Sequence, residues 1–138
     1  MSLLYLLDTN IVAEALRPAP NARVIQHLKL HENAMAIPAV VWHELWYGCR
    51  RLPVSSKRTT IERYLVEVIE PSIPILPYDA KVAHWHALER SRLAAIGRTP
   101  PFADGQIAAT AAVNGLALVT INVKDFEHFR DIQVVNWQ

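Results

Sequence analysis

The sequence predicts an α/β fold, a mainly parallel central sheet flanked by helices on both sides. Short apolar runs such as Leu3 to Leu7, Ala34 to Ile37 and Leu116 to Thr120 are too brief for helices and suit strands buried on both faces. They alternate along the chain with amphipathic segments of helical period, the pattern of strands joined by crossover helices. The length, 138 residues, is that of one ordinary domain, able to bury about 68% of its unfolded surface. One domain over residues 1–138 is the expectation.

The run from Leu3 ends abruptly in Asp8-Thr9-Asn10, so it reads as a central strand whose carboxyl end carries an acid. In open α/β sheets ligands bind beyond that end of the strands. Asp8 or Thr9 serves equally as the N-cap of a helix over Ile11 to Leu16, which Pro18 and Pro20 stop. Asn21 offers the next N-cap, and Val24, Ile25, Leu28 and Leu30 mark a second helix reaching about His31. His27 and His31 lie four apart on it and, lacking a third ligand, read as surface histidines.

A strand over Ala34 to Ile37 is followed by Pro38 in the first turn of a helix. On that helix Glu44 shares the stripe of Val40, Val41 and Leu45, and an inward carboxylate needs a donor or a cation. Pairing with His43 or an Arg is the structural alternative. Trp42, Trp46 and Tyr47 exceed one narrow stripe, so part of that helix is predicted to face another element or another chain. After a break at Leu52 to Val54, Ile61, Tyr64, Leu65 and Val68 mark a helix ending before Pro71. Pro74 and Pro77 bracket Ile75 and Leu76 as a short edge strand.

Asp79 caps a long helix to about Ile96, with Val82, Ala83, Leu88 and Leu93 on its predicted buried side and Gly97 as its stop. His84 and His86, two apart, point to different sides and do not chelate. Arg98-Thr99-Pro100-Pro101 is a rigid loop, and Phe102 opens an Ala-rich helix through Ile107, Ala108, Ala111 and Ala112, closed by Gly115. Asp104 sits in its first turn, where an acid by itself merely complements the helix dipole, worth about 0.3 to 1 kcal/mol. The strand over Leu116 to Thr120 leads to a polar turn with Asn122, Lys124 and Asp125, then Phe126, Phe129 and a last strand from Ile132 to Val135.

Apolar residues make up 51% and charged residues 20%, with no repeat and no low-complexity tract, which excludes disordered and solenoid classes. The single Cys49 forms no intramolecular disulfide and reads as apolar packing, in keeping with a reducing cytoplasm. No stretch reaches the roughly 18 apolar residues of a membrane span, and no basic region precedes the first apolar run. A cytoplasmic, unexported protein without membrane contact is expected. Net charge is +1, so any nucleic-acid footprint is local. The candidate is Arg50, Arg51, Lys57, Arg58 and Arg63, which otherwise simply cover a solvated helix face.

On a parallel sheet Asp8, Glu44, Asp104, Asn122 and Asp125 can converge on one end. Carboxylates brought together there would repel by about 4 kcal/mol per pair at 4 Å with an effective dielectric near 20, so a cation must sit among them. Oxygen donors without a Cys or His signature favour a hard ion, Mg²⁺ or Mn²⁺. Such a cluster suits phosphodiester hydrolysis by water, with no side-chain nucleophile.

Leu6-Leu-Asp-Thr-Asn10, Glu44 within His-Glu-Leu-Trp-Tyr-Gly, Ala103-Asp104-Gly-Gln-Ile-Ala-Ala-Thr-Ala and Leu118-Val-Thr-Ile-Asn-Val-Lys-Asp-Phe126 stand in this order along nearly the whole chain. Together they resemble PIN-domain ribonucleases of the VapC toxin type. The resemblance implies that Asp8, Glu44 and Asp104 hold the metal and that Thr9, Asn10 and Thr120 support the site. Asn122 stands where some members carry Asp, which leaves Asp125 as the alternative fourth acid and one or two ions open. It further implies an RNA endonuclease, with structured RNA such as tRNA as a family expectation. It also implies a homodimer restrained by a small antitoxin, with operator DNA bound only through the antitoxin complex. Competing readings are an interaction module that has lost catalysis, for which Asn122 is the motive, and a receiver-type phosphoacceptor domain, hinted at by Lys124. Asn10 disfavours a haloacid-dehalogenase-like phosphatase, which needs a second Asp there.

Overall fold

The structure, a computed structural model, describes residues 2–138, so only Met1 of the predicted domain lies outside it. Five strands form one parallel sheet in the order β3-β2-β1-β4-β5. They are β1 (Tyr5–Leu7), β2 (Met35–Pro38), β3 (Ile75–Leu76), β4 (Ala117–Val119) and β5 (Val134–Val135). Tyr5 pairs with Met35 on one side and with Ala117 on the other, which makes β1 the central strand. Leu6 and Leu7 are fully buried, one toward each face, and each contributes roughly 1.5 to 3 kcal/mol by leaving water. The predicted α/β class, the parallel pairing and the edge position of β3 are all observed.

From β1 the chain steps outward to β2 and β3, then returns to place β4 on the other side of β1. The order therefore reverses between β1 and β4, and a crevice opens at the carboxyl ends of those two strands. Asp8 follows β1 and Thr120 follows β4 at that place.

Among the described residues seven α-helices cover the sheet: α1 (Thr9–Glu14), α2 (Ala22–Leu30), α3 (Ala39–Arg50), α4 (Ser56–Tyr64), α5 (Glu70–Ser72), α6 (Ala80–Ala95) and α7 (Phe102–Asn114). A π-helical stretch, Leu65–Ile69, joins α4 to α5. Local chemistry sets the starts. Asn21 accepts from the backbone N–H of Arg23 and Val24, Ser55 from Arg58, and Asp79 from Val82. Pro38 ends β2 and precedes α3 rather than lying within its first turn.

Helix α6 departs from its predicted face. Leu88 is 62% exposed, whereas His86 and Glu89 join Val82 and Leu93 on the buried stripe. Long-range partners make these two polar groups tolerable inside. The Tyr78 hydroxyl lies 2.8 Å from His86 Nδ1, and burial, reinforced by the Arg90 guanidinium, holds the imidazole pKa below its ordinary range. Burial pushes Glu89 up, but the Arg92 side chain and the Arg130 N–H, 2.7 Å away, outweigh it and leave its carboxyl below the usual range.

Two further expectations are corrected. His27 and His31 are not free surface groups: both are half-buried and stack on Trp137, at centroid distances of 5.1 and 5.4 Å. The last strand is only Val134–Val135, because Asp131 takes a φ of 62° and turns the chain just before it.

His86 also presses on α7. A Cβ placed on Gly105 would overlap the His86 ring, so α7 approaches α6 this closely only with glycine there. Gly105→Ala is expected to destabilise the fold by about 1 to 3 kcal/mol, through overpacking. In a His86→Ala background most of that loss should disappear. Urea denaturation of the four proteins of this cycle measures the coupling, and an equal loss in both backgrounds would refute the steric account.

Candidate active site

Asp8 follows β1 and caps α1, as the capping reading expects. Its Oδ1 accepts from the Thr9 N–H at 2.8 Å, and its Oδ2 accepts from the Thr120 hydroxyl at 2.7 Å. The Asn10 side-chain amide lies 3.4 Å from the same Oδ2. Asp8 and Thr120 are both buried, so the carboxylate is fixed in rotamer and position.

Thr9 reaches a second acid. Its hydroxyl donates to Glu44 Oε2 at 2.7 Å, which ties α1 to α3 and gives the half-buried Glu44 the donor it needs. His43 is not that partner, since it stacks on Tyr47. One threonine therefore holds two carboxylates, through its backbone N–H and its side chain.

Asp104 lies in the first turn of α7, half-buried, and its carboxyl is pushed up to about 6. Burial is the largest cause, followed by the negative charges of Asp125, Asp8 and Glu44 in that order. Asp8 and Glu44 thus both act on Asp104, and Asp125 acts on it from the 3-10 turn Val123–Phe126. Asn122 stays at the rim, exposed, with its backbone N–H donating to the Thr120 hydroxyl at 3.0 Å.

The donor set fits a hard divalent cation: oxygen donors only, one of them protonated more readily than usual through burial and the neighbouring acids. Among the described residues, no three His, Cys, Asp or Glu side chains form a group that could hold a metal ion by themselves. Waters would therefore have to complete any coordination shell.

The basic cluster contributes less than its count implies. Arg50 and Arg58 both pair with Glu62, and the Arg51 guanidinium lies over the Tyr47 ring, 4.7 Å from its centroid. Lys57 instead lines a largely apolar groove of about 560 Å³ that runs from Thr9 and Glu44 past Leu45 to Ile61. Two residues that sequence reasoning did not single out, Arg98 and His128, line a smaller hollow beside Asp104 and Asp125. Their nearness to Asp104 could be anticipated for Arg98, six positions before it, but nothing in the sequence signals it for His128.

A family model for the PIN domain matches residues 5–132. The chain belongs to the PIN domain family. It is 35% identical over 136 residues to toxin FitB of Neisseria gonorrhoeae, covering 96% of this chain and 97% of that protein. It is 30% identical to the tRNA(fMet)-specific endonuclease VapC of Shigella flexneri, with 96% and 97% covered. The crystal structure of DNA-bound VapBC from Salmonella typhimurium superposes with a TM-score of 0.85 at 27% identity, covering 99% of each chain.

The raised Asp104 pKa of this PIN domain carries a stability consequence. An acid whose folded value, about 6, lies above its ordinary 3.8 binds its proton more tightly when folded. Its ionisation therefore opposes folding, by nothing below the lower value and in full above the higher one. Metal-free Asp104→Asn should accordingly be more stable than the parent at about pH 8, by an amount of order 1 kcal/mol once solvent screening is allowed for. The gain should vanish near pH 4. Thermal melting across that range measures it, and a constant difference would contradict the electrostatic origin.

Proposed function

We propose that this PIN-domain protein is a divalent-metal-dependent endoribonuclease and the toxin of a toxin–antitoxin pair, acting in the cytoplasm. The observation that carries the reading is that Asp125, Asp8 and Glu44 all lie near enough to Asp104, beside the sheet's switch point, to add to the rise that burial imposes on its carboxyl. Asp8, Glu44 and Asp104 would hold Mg²⁺ or Mn²⁺, with Asp125 and Asn122 at the rim. Mg²⁺ commonly takes one or two carboxylates and keeps several waters, which suits acids gathered around a crevice without closing on one point. When bound, the ion would neutralise charge on the phosphodiester and make a water more acidic.

The chain's own groups do the positioning. Thr9 and Thr120 fix the lone pairs of Glu44 and Asp8, and Asn10 braces the turn by accepting from the Ile121 N–H at 3.4 Å. A cysteine nucleophile is disfavoured, because Cys49 is buried, directs its thiol to the Arg58 carbonyl, and has its pKa raised by burial and by Glu62.

Two surfaces support the partners. The apolar groove ending at Glu44 suits an antitoxin segment that could cover the site. The exposed Leu88, with Trp85 and Val113 beside it, suits a second copy of the chain in a homodimer. Operator DNA enters this reading only through the antitoxin complex. Among the described residues no helix is long and apolar enough to cross a membrane.

Purified protein should cleave RNA with Mg²⁺ or Mn²⁺ and stop when the metal is chelated. Asp104→Asn should lower the rate at least about 100-fold, roughly 3 kcal/mol of transition-state stabilisation, while circular dichroism stays unchanged. Cleavage undiminished in Asp104→Asn, or in chelator, would overturn the proposal. In cells, induction should arrest growth, and co-expression of the neighbouring reading frame should relieve it.

A further inference from the structure

Arg98, Pro101, Asp104, Asp125, His128 and Phe129 enclose a hollow of about 220 Å³ that shares two acids with the proposed metal site and adds a guanidinium and an imidazole. Arg98 Nη1 lies 2.9 Å from His128 Nε2. Guanidinium can only donate, so Nε2 is the acceptor in this contact. Among the described residues Arg98 makes no ion pair with a carboxylate, although two acids line the same hollow. Most of its five donors are left for a ligand.

Both groups are held from behind. Gly97, at φ 72°, turns the chain out of α6, and the Arg98 N–H caps that helix by donating to the Leu93 carbonyl at 2.8 Å. Pro100 and Pro101 then stiffen the three-residue link to α7. On the opposite wall the His128 carbonyl accepts from Arg92 Nη2 at 2.7 Å, and Arg92 is itself paired with the buried Glu89. Glu89 also accepts from the Arg130 N–H. The buried pair on α6 thereby fixes the loop that presents His128.

We propose that Arg98, oriented by His128, binds a phosphate of the RNA strand next to the one cleaved. The proposal rests on the ribonuclease reading. A phosphodiester held at the metal site must continue along its strand over one wall of the crevice. This wall offers a forked donor matched to phosphate oxygens, and the acids beside it repel phosphate unless cation and guanidinium act together. Arg98 is a substrate-binding residue and His128 a positioning residue.

The test uses Glu44→Gln, which blocks cleavage without touching the hollow, and a labelled single-stranded RNA oligonucleotide followed by fluorescence anisotropy over a salt series with Mg²⁺ present. Adding Arg98→Ala should weaken binding roughly three- to tenfold and lower the salt slope by about one phosphate contact. Arg98→Lys should recover part of the affinity, and His128→Ala should weaken binding less than Arg98→Ala while leaving the salt slope unchanged. Both side chains are exposed, so melting temperatures should match the parent. Affinity and slope unchanged in Arg98→Ala would overturn this proposal alone. Failure of the parent to bind or cut RNA would overturn it together with the ribonuclease reading.

Discussion

Like charges gathered around Asp104 are the constraint around which this chain is arranged. Asp8, Glu44 and Asp125 come from three separate segments to lie near enough to act on Asp104, and the fold must both bring these carboxylates together and tolerate them. It brings them together through a parallel sheet whose strand order reverses beside β1, so that the ends of β1 and β4 and the start of α7 open on one place. It tolerates them by local donors: two threonine hydroxyls and one backbone N–H satisfy Asp8 and Glu44. Asp104 has no such donor among the described side-chain hydrogen bonds, and its carboxyl is pushed up by burial and by the neighbouring acids. Acids set in this way suit a hard cation, as the proposed function requires.

The polar groups buried beneath the site have a different task. His86 packs on Gly105 and so sets how closely α7 approaches α6, one residue away from Asp104. Glu89 gathers Arg92 and the Arg130 N–H and so anchors the loop that follows Asp125. Partnered in this way, these groups act as spacers and ties rather than as chemistry, and they connect the precision of the crevice to packing on its far side.

The sheet was readable in the sequence because buried parallel strands are short apolar runs with little competing signal, as at Leu6 and Leu7. Strand ends were less so: Asp131 adopts its left-handed turn for reasons that local propensity does not encode. Asp8 and Glu44 could be picked out, one by its place at a strand end and the other by its misfit on an apolar stripe. Their grouping with Asp104 follows from the ends of strands and helices on a parallel sheet, and the family resemblance names the same residues, although nothing local relates residues a hundred positions apart. Helix α6 was misread toward Leu88 because periodicity assigns apolar residues to the core, whereas His86 and Glu89 are made tolerable by Tyr78 and Arg130, partners that only the folded chain supplies. The basic cluster was overcounted for a similar reason, Glu62 neutralising Arg50 and Arg58. Arg98 and His128, thirty residues apart, meet only in three dimensions.

Anomalous diffraction from crystals of the protein soaked in Mn²⁺ addresses the central claim most directly. A single strong peak within coordination distance of Asp8 and of at least one of Glu44 and Asp104, absent from crystals of Asp104→Asn, is the predicted result. Crystals that take up Mn²⁺ elsewhere, or not at all at millimolar concentrations, would contradict the view that these carboxylates are assembled around a cation.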